Sequence, residues 1–311
     1  MRGREGRPRG DDKFGLVAQQ CFILSNATAK ILYDQVKPPP KPVPPPAMFV
    51  FGDGVLNVGN NIYLPKIGMG EGYPPQVSES SRGRFSNGTN KADTIAMSFS
   101  FEQSPPAYMS LNGGLNMWGA HYASAGAGIK NSSFNPTRAQ MGAKLGGDTK
   151  LRELLSKSVF LIRIGSHDLN PRWNPQPEDR PQGSVIRELV ELYVGAAKCL
   201  YDLGARKLGI VNVGHVGCMP EGYNNVCNQS LNEISAEFGQ ALMHFTPSDS
   251  SKKVTFMDSP PTLVNTQESC RDWGMTDHTY YNPDDYWFWD PEFITDHAAK
   301  LTAAAFNYGP S

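Results

Sequence analysis

Beyond residue 46 the chain alternates short, uninterrupted apolar runs with longer stretches in which apolar positions recur every three to four residues. The runs at 48–51, 117–123, 159–164, 208–213 and 254–257 are strand candidates. Several lack polar alternation, as expected of strands covered on both faces. The clearest helix spans 185 to about 203, with Ile186, Leu189, Val190, Tyr193, Ala197, Leu200 and Tyr201 on one face. Gly204 stops it and a strand follows at once. Strand, helix and strand at that spacing form a crossover unit, which requires a parallel sheet.

Parallel sheets bind ligands in the crevice beyond the carboxyl ends of their strands. The first strand candidate is followed by Gly52-Asp53-Gly54 and the second by Ser124-Ala125-Gly126-Ala127-Gly128. The third leads into Gly165-Ser166-His167-Asp168 and the fourth into Gly214-His215. Glycine-rich turns let backbone N–H groups converge, which suits an oxyanion or a polar ligand. No G-x-G-x-x-G opens a helix after the first strand and no GxxxxGK[ST] occurs, so a nucleotide cofactor is not expected. Asp53 and Asp168 read as hydrogen-bond acceptors of these turns. Asp277, His278, Asp284 and Asp285 match no metal-ligand spacing and read as a solvated loop, so no metal is expected. The aromatic run Tyr286-Trp287-Phe288-Trp289 reads as core packing behind a last helix.

Composition adds limits. Of 311 residues, 39% are hydrophobic and 10% aromatic, enough for a substantial core. A net charge of -1 gives no field that would draw in nucleic acid or an anionic membrane. No apolar stretch reaches the ~18 residues of a membrane-spanning helix. Residues 1–46 end in KPPPKPVPPP and read as an arm and extended spacer. The best apolar run near the start, FGLVAQQCFIL, is split by Gln19 and Gln20 and makes a poor signal peptide. Cys199 falls inside the helical pattern and reads as a small buried residue. Cys218 and Cys227 bracket a short polar loop and could close a disulfide in an oxidising compartment; Cys21 and Cys270 have no pattern partner. Glycosylation triplets begin at Asn26, Asn87, Asn131 and Asn228 and lean towards a secretory history.

Six segments, in order, resemble blocks of the GDSL esterase/lipase family of plants, a branch of the SGNH hydrolases. AMFVFGDGVLNVGNNIYLP is similar to the block in which FGDS precedes D-x-G-N-N. GRFSNGTNKADTIA is similar to the GRFSNG segment, and GAHYASAGAGI to G-x-N-F-A-S-G-G-A-G-I. IGSHDLN resembles I-G-S-N-D, LYDLGARKLGIVNVGHVGCMP a helix-to-strand segment, and FWDPEFITDHAAK the block F-W-D-x-x-H-P-T. The resemblance implies one domain over 47–309 with a flavodoxin-like SGNH hydrolase fold: α/β, three layers αβα around a five-stranded parallel sheet.

The family reaction implied is hydrolysis of carboxylic esters, with lipid or carbohydrate acyl esters as ligands. A serine is the nucleophile, a histidine the base and an aspartate its orienting acid. Carried onto this chain, the nucleophile position is Gly54, the base position Phe293 and the acid position Asp290. The oxyanion hole falls on the Gly54 backbone, Gly126 and His167, the last standing where the family has asparagine. Glycine offers no attacking oxygen and phenylalanine no base, so the expectation is an impaired hydrolase that at most binds an ester or lipid. The alternative is an ester hydrolase of another mechanism, in which His167 or His297 activates water. For His167 the competing role is simply to fill the asparagine space, and for His297 to sit exposed at the start of the last helix. Family members are usually secreted; compartment and oligomeric state are not set by these residues.

Overall fold

The computed structural model describes residues 44–64, 81–114, 116–130, 147–171, 174–175, 181–214, 216–220, 227–244, 265–269 and 282–307. Its main sheet contains β1 (Met48–Gly52), β2 (Gly119–His121), β3 (Val159–Arg163) and β4 (Lys207–Ile210). The strands are all parallel, in the order β2-β1-β3-β4. The described part of the sheet therefore has four strands rather than five, and the candidate at 254–257 lies outside the described residues.

The helices are α1 (Lys91–Ser98), α2 (Asp148–Lys157), the single turn α3 (Ser166–Leu169), α4 (Gln182–Leu203), α5 (Gln229–His244) and α6 (Asp296–Asn307). The apolar strand runs split between two faces. Phe49, Phe160, Ile162 and Ile210 pack with Leu151 and Leu155 of α2, Leu189 and Tyr193 of α4, and Phe238 and Leu242 of α5. Met48, Val50, Leu161 and Val211 point the other way, towards Ala92, Ile95 and Ala96 of α1, against which α6 packs. This period-2 alternation within continuous apolar strands produces the three αβα layers.

A second pair, β5 (Asn265–Ser269) and β6 (Tyr286–Phe288), is parallel and escaped the sequence pattern, because NTQES is polar and YWF is three residues long. Trp287 and Phe288 nevertheless join a small core with Ala298 and Ala299 of α6, as expected for the aromatic run. Cys199 corrects the buried reading: it is a free, exposed thiol on the solvent face of α4. Cys218 and Cys227 are joined in a disulfide. Among the described residues no helix is long and apolar enough to cross a membrane.

Candidate active site

The chain runs from β1 outward to β2, then returns to β3 on the other side of β1. Such a reversal opens a crevice at the carboxyl ends of β1 and β3. Asp53 and Gly54 follow β1 there, and Gly165 to Asp168 follow β3.

The floor of the crevice is ionic. The buried Asp53 carboxylate receives the Arg163 guanidinium, the Ser166 hydroxyl at 2.6 Å and the Val55 N–H at 3.2 Å. Arg163 also donates to the Val213 carbonyl beyond β4 at 3.2 Å. Asp53 is thus the turn acceptor expected of it and, in addition, half of an ion pair spanning three strand ends.

Above this floor, Gly54 and Phe293 touch. A Cβ on Gly54 would lie 2.5 Å from Cε1 and 2.7 Å from Cζ of Phe293, and 3.1 Å from the Ala125 Cβ. Real Cβ atoms do not approach that closely, so the ring fills the volume a side chain at 54 would need. Phe293 is 1% exposed and stacks on Phe85 with centroids 4.7 Å apart, the two closing an apolar cluster with Val55 and Ala125. Asp290 is buried beside it, and one oxygen accepts the Glu292 N–H at 2.9 Å and the Phe293 N–H at 2.8 Å. The carboxylate thereby holds the turn that presents the phenyl ring.

Gly126 is exposed with φ +79, and the space where its side chain would be is open. The preceding Ala125 N–H donates to the side-chain Oδ1 of Asn61 at 2.9 Å. His167 is half-buried on α3; desolvation lowers its pKa and outweighs the opposite pull of Asp168 and Asp53, which favours a neutral ring. Asp168 accepts the Ile129 N–H at 2.7 Å, and its pKa is raised, chiefly by desolvation. His297 lies in the first turn of α6 and is half-buried rather than exposed. Asp284 and Asp285 are exposed in a 3-10 turn, and Asp277 and His278 fall outside the described residues.

Sequence reasoning did not foresee the polar scaffold around the crevice. Asn57 accepts the Gly59 and Asn60 N–H groups, while Asn60 donates to the carbonyls of His121 and Ala123 at 2.8 and 2.9 Å. Arg84 pairs with Asp93, which also completes the capping box of α1 with Asn90. Asp296 accepts from the Thr89 N–H at 3.0 Å and from the Thr89 hydroxyl, and its own N–H donates to Asn87 at 2.8 Å. The run NVGNN carried a signal for this scaffold, since consecutive asparagines next to glycine are loop-stapling residues.

The family model described as GDSL-like Lipase/Acylhydrolase matches residues 48–303. One Arabidopsis thaliana GDSL esterase/lipase is 30% identical over 62% of this chain and 57% of its own length. A second from the same plant is 25% identical over 85% of this chain and 86% of its own. A third is 31% identical over 64% and 61%. In two of these three pairs the aligned stretch covers less than two thirds of the relative.

Proposed function

The chain belongs to the GDSL-like lipase/acylhydrolase family, and on that premise we propose that it is a member without acyl transfer, at most a binder of lipid or acyl-ester ligands in the crevice between β1 and β3. The observation that carries this reading is the packing of the Phe293 ring against Gly54. Covalent ester hydrolysis needs a hydroxyl within hydrogen-bond reach of an imidazole. At the positions the family uses for them, this chain has a bare backbone and a buried phenyl ring. In a comparable triad, loss of nucleophile or base lowers kcat by about 2 × 10⁶. Exchange of one oxyanion donor, as at His167, costs a further ~3 kcal/mol. The N–H groups of Gly54 and Gly126 form no hydrogen bond among the described residues, and they are the polar elements left to receive a carbonyl oxygen.

The test is incubation of the purified protein with short p-nitrophenyl esters and a serine-directed fluorophosphonate. Rates at the buffer level and no covalent label are expected; clear turnover with a labelled side chain in the crevice ends the proposal. A second reading has one observation in its favour. Desolvation keeps His167 neutral, as a base acting on water must be. It predicts fluorophosphonate-resistant turnover that disappears in His167→Ala; His297→Ala tests the other candidate in the same way.

A further inference from the structure

His121 ends β2, is fully buried, and has no hydrogen-bond partner at either ring nitrogen. A neutral imidazole carries one donor and one acceptor, so this side chain keeps two polar atoms unmet in the interior. Its backbone, by contrast, is a junction. The His121 N–H donates to the Pro106 carbonyl at 3.0 Å, and its carbonyl accepts from Asn60, whose amide also holds Ala123. Asn61 then holds Ala125, so the exit of β2 and the 57–61 loop are fastened to each other.

Among the described residues the charged group acting on the imidazole is Arg84, already committed to Asp93 on α1 at 2.6 and 2.7 Å. The Leu56 backbone also bears on the ring without forming a hydrogen bond of ordinary geometry. A proton on His121 would therefore create a second buried cation beside Arg84, whose carboxylate partner is taken.

We infer that His121 is an acid-sensitive latch: neutral, it lets β2 stay docked on β1; protonated, it frees the exit of β2 together with the 57–61 loop, loosening the crevice wall that carries Ala125 and Gly126. Burial first, and Arg84 second, push its pKa from 6.5 down to about 3. A folded pKa below the unfolded one gives stability that is full above the unfolded value and declines as pH falls below it. The latch stands whether or not the crevice hydrolyses esters.

Hydrogen exchange on the full chain at pH 7 and pH 5, corrected for intrinsic rates, tests it. The two pKa values imply that the opening equilibrium at 57–61 and 119–126 rises about 25-fold between those pH values, ahead of α4. His121→Asn, which cannot titrate, is expected to remove the rise. A direct titration of the histidine ring protons in the unaltered protein keeps the test decisive if that variant does not fold. A His121 pKa near 6.5, a rise that persists in His121→Asn, or uniform loosening of all elements would overturn the latch.

Discussion

Arg163 and Asp53, 110 residues apart in the chain, form an ion pair beneath the crevice with side chains 4% and 6% exposed. Asp53→Asn keeps the shape but leaves a buried guanidinium uncompensated, and should cost about 3–5 kcal/mol in urea unfolding. Replacing both partners, as Asp53→Ala with Arg163→Met, should cost much less than the single change. A single-variant loss under ~1 kcal/mol would mean that the pair is not formed in solution.

Gly54 and Phe293 make a second, steric pair. The backbone at 54 is not left-handed, so a serine is excluded by the ring rather than by φ. Gly54→Ser alone should destabilise by about 1–3 kcal/mol through overpacking and give no esterase activity. Phe293→His added to it should recover stability, and His167→Asn on top should yield measurable p-nitrophenyl butyrate hydrolysis. A well-folded triple variant that remains inert would show that the position-by-position assignment is wrong.

The Cys218–Cys227 disulfide closes a short loop, with a sequence separation of 9. The chain-entropy account gives about 2–3 kcal/mol for such a loop. Cys218→Ser with Cys227→Ser should lower stability by that amount in chemical denaturation. Loss of the fold altogether would assign the bridge a larger role than loop closure.

His167 adds a milder pH effect of the same sign as His121. Its folded pKa lies below the ordinary imidazole value, so its contribution is present above about pH 6.5 and is lost in acid. Asp168 acts oppositely: its raised folded pKa favours the fold at low pH and penalises it as pH rises through that value. The thermal midpoint of His167→Ala should therefore fall less between pH 7 and pH 5 than that of the parent. An unchanged slope would remove His167 from the account.

The parallel sheet was legible because Met48 to Val50 and Val159 to Ile162 are continuous apolar runs, and α4 because Ile186, Leu189, Tyr193, Ala197 and Leu200 recur on a helical face and are buried, although Tyr201, read onto the same face, is exposed. Cys199 was misread because it borders that face while its neighbour Leu200 holds the buried slot. Arg163 falls inside the run 159–164, and nothing local in the sequence points from it to Asp53. The meeting of Gly54 and Phe293 followed only from the family resemblance, since no periodicity links residues so far apart. That Asp290 staples its own turn was equally hidden. Its buried carboxylate has a backbone role there that needs no chemistry.

The staple between Thr89 and Asp296 joins residues 207 positions apart, and α6 packs against α1. On the ribosome, the early half of the domain must wait with apolar surface uncovered until the final helix has been made. Deleting α6 should therefore forfeit the whole domain.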